Sequence, residues 1–236
     1  MRLACGLWAV ICALGPSARA DAPDPKPGAE GLKRLDMAHL RVTEGILSPG
    51  GSPGGAGPMR VDVPKMRAIA KDLTAAHASI RFTYRGPTSQ QMPLASGEQR
   101  RQLGLKLKAE DGCNLLYVMW RIAPKPGIVV SVKSNPGQHA SVQCGNRGYR
   151  NLRPARSRPV PGLEVGSSHR LEARLDASTL LVWVDDVLVW EGRLGPEVLA
   201  LRGPVGVRTD NVRLELEMFA PPEEAPSAGG PRTSPR

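Results

Sequence analysis

The stretch that decides the fold is His169–Gly192, "HRLEARLDASTLLVWVDDVLVWEG". In its first part Leu171, Ala173 and Leu175 alternate with charged residues, the period of a half-buried strand. "TLLVWV" and "VLVWEG" then flank Asp185-Asp186, and two β-rich runs around a two-residue acidic turn read as a hairpin. Three consecutive antiparallel strands are therefore predicted.

The same pattern recurs on both sides. Ile80, Phe82 and Tyr84 alternate in "SIRFTYRG", as do Leu103, Leu105 and Leu107 against Gly104, Lys106 and Lys108 in "RQLGLKLKAE". "NLLYVMWRI" is apolar on both faces, as a central strand is, and "GIVVSVKSN" is a further strand. In "GPVGVRTDN" the valines Val205 and Val207 face the core with Thr209. Gly206, Arg208 and Asp210 take the other face, and Asn211 stands at the turn into "VRLELEMF". Only Val63–Ala78, "VPKMRAIAKDLTAAHA", has a helical look, although "MRAIAKDL" also fits a strand and loop. Residues 32–47 fit either a short helix or a first strand. Many short strands separated by turn residues predict an all-β protein, a two-sheet antiparallel sandwich or jelly roll with at most one or two short helices.

The order of elements in "HRLEARLDASTLLVWVDDVLVWEG" and "GPVGVRTDNVRLELEMF" resembles the concanavalin A-like lectin/glucanase superfamily, mainly over residues 168–219. The nearest likeness is to laminin-G-like modules and to bacterial 3-keto-disaccharide hydrolase-like domains. Cys113–Tyr149 is also similar to a family of secreted bacterial proteins to which no activity attaches. The resemblance implies two stacked antiparallel sheets, one concave, with sugars bound on the concave face or its rim. Its glucanases carry closely spaced carboxylates on one strand. Here Glu215 and Glu217 share a face of "RLELEM" but lack the third member, so they read as a solvated face.

The flanks predict the compartment. Arg2, the apolar run Leu3–Gly15 and Ala18-Arg19-Ala20 have the form of a secretory signal over residues 1–20. Residues 21–58 read as a Pro/Gly-rich segment and linker, 59–220 as the domain and 221–236 as a disordered tail. The expected protein is secreted, periplasmic or held at the cell envelope, with no transmembrane segment after cleavage. Two of the four cysteines leave with the signal. Cys113 and Cys144 remain, and an even pair in an oxidising compartment is most simply a disulfide. In the chain-entropy model, closing a loop of about 30 residues stabilises by roughly 3–4 kcal/mol.

The formal charge is +10, which fits acidic partners such as nucleic acid, anionic lipid head groups or an acidic polysaccharide, and equally fits plain solubility. Aromatics make up only 4% and no nucleic-acid motif is present, which argues against a single-strand stacking platform. No Ser-His-Asp set, G-x-S-x-G, P-loop or metal-ligand spacing is readable, so no catalytic or metal residues are assigned. No cofactor is expected. Calcium enters only through the laminin-G likeness, at Asp185, Asp186, Asp210 and Asn211 if the fold joined them.

The candidate ligand-binding residues are Tyr117, Arg121, Lys133, Asn135, His139, Tyr149, Arg208, Asp210 and Asn211. Sugar sites pair an aromatic platform with a few convergent polar groups. Tyr117 and Arg121 share a strand face, while Trp120 points the other way and reads as core. The plain reading of Asn135 is a turn former in "SNPG", and of Arg208 and Asp210 an ion pair with each other. Arg147, Arg150, Arg153, Arg156 and Arg158 form either a solvated basic loop or an anion-binding patch. Together these readings predict a non-catalytic binding module for a glycan or acidic polysaccharide. A sugar hydrolase, or a domain docking a protein or anionic surface, are the alternatives.

Overall fold

The computed structural model describes residues 24–28, 31–51 and 57–222. The leader expected at 1–20, and the tail expected at 221–236 past residue 222, lie outside the described residues. Among the described residues the chain forms sixteen strands and two short helices. In chain order the strands are β1 Lys33–Leu35, β2 Leu40–Glu44, β3 Ser48–Pro49, β4 Met59–Val61, β5 Lys65–Thr74, β6 His77–Pro87, β7 Arg101–Leu107 and β8 Leu115–Ala123. There follow β9 Gly127–Lys133, helix α1 Ser141–Cys144, β10 Tyr149–Asn151, β11 Arg156–Ser157, β12 Ser168–Asp176, β13 Thr179–Val184 and β14 Val187–Arg193. Helix α2 Pro196–Ala200, β15 Pro204–Asp210 and β16 Val212–Ala220 complete the chain.

The strands build two antiparallel sheets. A nine-stranded sheet runs β11-β14-β13-β12-β6-β16-β4-β3, with β1 also paired to β16, and a seven-stranded sheet runs β10-β9-β8-β7-β15-β5-β2. Alternation sets the layers. Ile80, Phe82, Leu171, Ala173 and Val182 from one sheet meet Leu103, Leu105, Val118, Trp120 and Val207 from the other in one buried core. Trp120 is core, as expected, its ring edge-on to Phe82 with centroids 5.7 Å apart. The acidic hairpin forms: Val184 pairs with Val187, and Asp185 and Asp186 have φ of 48° and 65°. Both central residues are thus left-handed, as a type I′ turn requires.

Two expectations change. The helical look of Val63–Ala78 gives way to β5 and the start of β6. Met66, Ala68 and Ala70 are buried in the core, while β5 pairs with both β15 and β2. Alanine favours a helix locally, but pairing on both edges overrides so weak a preference. The domain also starts earlier than residue 59. β1 and β3 join the nine-stranded sheet and β2 the seven-stranded one, burying Leu35, Leu40 and Leu47. The ambiguous residues 32–47 are two strands around a turn of 3-10 helix at Met37–His39, capped by the Asp36 carboxylate.

Residues 24–28 are likewise no free spacer. The Trp183 indole donates to Pro25 O at 2.9 Å and Gly28 N donates to the Glu172 carboxylate at 2.7 Å. This strap lies on the outer face of the nine-stranded sheet. Farther along that face Glu215 is paired to Arg85 and Arg60 and Glu217 to Arg34 and Arg81. The two glutamates are a solvated ion-pair ladder, as the alternation suggested.

Candidate functional site

The outer face of the seven-stranded sheet carries the polar residues that alternate with the core. Strand register arranges them in cross-strand rows. One row runs Ile69, Gly206, Lys106, Tyr117, Ser131 and Asn151 across β5, β15, β7, β8, β9 and β10. The adjoining row runs Arg67, Arg208, Gly104, Met119 and Val129. Above them lies a cavity of about 470 Å³ lined by Tyr117, Arg121, Lys133, Tyr149 and Arg208 among others. Five of the nine predicted ligand residues therefore converge on one space.

Its centre is a stack. The Tyr117 and Tyr149 rings lie 6.0 Å apart at 22°. Tyr117 is buried and Tyr149 is 42% exposed. The Arg208 guanidinium lies 4.8 Å from the Tyr117 centroid and donates to the Tyr149 hydroxyl at 3.3 Å. The Lys133 ammonium lies 5.2 Å from the Tyr149 centroid and donates to Gly112 O at 3.0 Å. Gly104 makes room for this arrangement. It stands beside Arg208 in the row, and a Cβ there would meet Val118 O at 2.1 Å. A cation over a desolvated ring such as Tyr117 contributes about 2 kcal/mol, and one over the half-exposed Tyr149 about 0.5–1 kcal/mol.

Burial pushes the Tyr117 hydroxyl up to about 12, against the pull of Arg208. For Tyr149 burial acts the same way, but Arg208 and Lys133 outweigh it and bring the hydroxyl below the ordinary phenol value. Burial also lowers Lys133.

Asp210 holds Arg208 in place. The carboxylate is fully buried and accepts from Arg208 Nε at 2.9 Å, Arg67 Nη2 at 2.7 Å and Gln102 Nε2 at 2.7 Å. The expected Arg208–Asp210 pair thus exists, but Asp210 supports the groove rather than facing a ligand. Burial alone would raise its carboxyl; Arg208, Arg67 and Gln102 bring it below the usual carboxylate value.

Asn211 also leaves the ligand-facing set. It is fully buried, accepts from Met92 N and donates to Met92 O and Arg100 O, each at 2.8 Å. It anchors the 88–100 loop, whose Leu94, Ala95 and Ser96 form one groove wall.

The opposite wall is the segment between β9 and β10. A Cys113–Cys144 disulfide, with Cα atoms 5.9 Å apart, fastens α1 to the start of β8. Asn135 donates to Cys113 O and Arg147 O, each at 3.1 Å, so its role is to brace this wall. His139 stands outside the main groove on the rim of a second cavity, with Nδ1 2.7 Å from Asp111 Oδ2. Arg121 remains available. Among the described residues its Nε has no hydrogen-bond partner, and it lines the groove.

Four of the five loop arginines, all but Arg153, are engaged elsewhere. Arg156 and Arg158 pair with Asp24 of the strap, Arg150 with Glu197, and Arg147 donates to Cys144 O and Gln143 O. The calcium set is not assembled. Asp185 and Asp186 bind His169 and Arg170 on the nine-stranded sheet, while Asp210 sits on the other sheet. Among the described residues no cluster of three His, Cys, Asp or Glu side chains is placed for a metal ion, and no helix is long and apolar enough to cross a membrane.

Sequence reading missed Arg67, Gln102 and Lys106. Period two in "RQLGLKL" already set Gln102 and Lys106 opposite the leucines; Arg67 was hidden by the helical look of its segment.

No protein-family model and no curated protein matches the chain. Solved structures do. A carbohydrate-binding module, CBM66 from Bacillus subtilis, superposes with a TM-score of 0.50 at 9% identity, over 75% of this chain and 91% of that one. A galectin, LEC-6 of Caenorhabditis elegans, gives 0.39 at 9% identity, over 79% and 99%. A GH43 protein of Bacillus licheniformis gives 0.49 at 12% identity, over 84% and 40%. At such identity the likeness is one of fold. The chain has the antiparallel jelly-roll sandwich that the concanavalin A-like resemblance implied.

Proposed function

We propose that the protein is a non-catalytic glycan-binding module, acting outside the cell or at the envelope, with the groove on the seven-stranded sheet as its site. The observation that carries this reading is the Tyr117–Tyr149 stack, flanked by Lys133 and Arg208, on the floor of a cavity walled by two braced loops. An amphipathic ring with cationic donors at its edge suits a sugar, which presents apolar C–H faces and a rim of hydroxyls. Arg121, which lines the groove from β8 and makes no ion pair among the described residues, adds a cationic donor for a hydroxyl or an acidic group. The disulfide and the signal-like leader support the compartment.

Binding is favoured over hydrolysis by the carboxylate inventory. Glycoside hydrolysis generally takes two carboxyl groups flanking the bond. The groove lining supplies Glu44, whose carboxylate lies 3.6 Å from Arg67. Asp210 beneath it is occupied by three donors.

Tyr149→Ala tests the site. The wild-type chain should retain ligands on a glycan array and release no reducing sugar from them. The variant should lose about tenfold or more in affinity, equivalent to about 1.4 kcal/mol. An array with no retained glycan, or a variant that binds as the wild type does, would remove the groove from consideration.

A further inference from the structure

Beside the groove lies a second cavity, of about 340 Å³, which shares Glu44, Arg67, Gly112, Tyr117 and Ser141 with it. Lys106 lines this second space and is only 6% exposed. Among the described residues its ammonium has neither a hydrogen bond nor an ion pair. The side chain is buried while its Nζ reaches the cavity, and an unpaired charge in so poorly solvated a place is costly. The neighbours worsen the situation. Arg67, Arg208 and Arg41 act against the charge on Lys106 and Glu44 acts for it. Gly206 is its row neighbour on one side and Tyr117 on the other; Gly206 brings no side chain of its own, and the Ile69 methyl that leans over it offers no polar partner.

We propose that Lys106 is the heart of an anion subsite, which takes a negatively charged oxygen substituent of a sugar bound next to the Tyr117–Tyr149 stack: a uronate carboxylate or a sulfate ester. The lysine supplies donors that no described residue uses, and Arg67 and Arg41 line the same cavity. Its three carboxylates are engaged: Glu44 with Arg67, Asp111 with His139 and Asn114, and Glu110 with Arg202 N. Tyr117, common to both cavities and the direct cross-strand partner of Lys106, places the charged substituent beside the stack. The choice of a sugar as carrier rests on the glycan reading; the anion subsite itself rests on Lys106.

Two measurements on the full chain separate these. In the first, protein labelled with 13C-lysine is titrated with sodium galacturonate, with sodium sulfate and with sodium chloride at matched ionic strength. The Lys106 side-chain signal is assigned by its loss in Lys106→Gln. It should shift saturably with galacturonate or sulfate and not with chloride; no saturable shift with either anion overturns the subsite.

In the second, calorimetry compares oligogalacturonate, its methyl ester and a sulfated galacto-oligosaccharide. Wild type should bind at least one charged oligomer tenfold or more tightly than the ester, and which one identifies the substituent. Lys106→Gln should bring charged and esterified forms to the same affinity. If the variant keeps the full preference, the subsite is wrong. If the lysine signal shifts but no oligosaccharide binds, the subsite stands and the glycan reading falls.

Discussion

Asp210→Ala is expected to destabilise the protein by about 3–5 kcal/mol, the cost of breaking a buried ion-pair network by removing one partner. Asp210 is fully buried and joins Arg208, Arg67 and Gln102. Alanine leaves Arg208 at the foot of the groove without its anion and Arg67 with only the more exposed Glu44. It also frees Arg208 from the position in which it covers Tyr117, so glycan affinity should fall with stability. Urea denaturation at neutral pH measures the first effect, and an unchanged midpoint would show that the network carries no load.

Acid adds a second readout. The folded-state carboxyl titrates below its ordinary value of 3.8. Its contribution is therefore present above that value and lost as pH falls through the folded-state pKa. Wild type should lose its advantage over Asp210→Ala only in that acid range.

The opposite sign is expected at Lys106. Lys106→Met should stabilise the protein at pH 7, by up to about 3 kcal/mol. Burial, then Arg67, Arg208 and Arg41, push the lysine from 10.5 down to about 8, with Glu44 opposing. Arg67 faces it from β5, Arg208 from β15, and Arg41 and Glu44 from β2; Glu110, Asp111 and His139 line the same cavity.

Between pH 8 and 10.5 the unfolded chain holds a proton that the folded chain has released, so wild-type stability rises with pH across that window. Methionine has a similar volume and nothing to titrate. The gap between variant and wild type should be widest below pH 8 and close towards 10.5. Denaturant curves at pH 7, 9 and 10.5 check this; a variant less stable than wild type at pH 7 would mean that the ammonium is satisfied. A residue that costs stability where it stands is of the kind retained for binding.

Alternation and turn chemistry made the sandwich legible. The β12–β13–β14 meander follows from period two and from an Asp-Asp pair that tolerates left-handed backbone. β5 was obscured because alanine-rich segments favour a helix until two neighbouring strands claim their edges. β1 to β3 were hidden by shortness and by the Pro/Gly residues around them.

At the site, the face shared by Tyr117 and Arg121 could be read within one strand. The supporting contacts could not. Arg67 and Asp210 are 143 residues apart in sequence, and only the β5–β15 register brings them together. Lys106 was visible as an outward position, but its isolation depends on three other strands. Asn135 and Asn211 looked like ligand donors because a free amide and one spent on backbone carbonyls are identical in sequence.

The strap at residues 24–28 has a practical meaning for anyone who mounts this molecule on a support. It rests on the nine-stranded sheet, and β16, the last strand, belongs to that sheet as well. Both ends of the described chain thus lie at the sheet on the far side of the sandwich from the groove. A sensor chip or bead coupled at an exposed position on the outer face of that sheet, such as Arg81 of β6, will hold the protein with its tyrosine stack facing the solution, without crowding at the mouth.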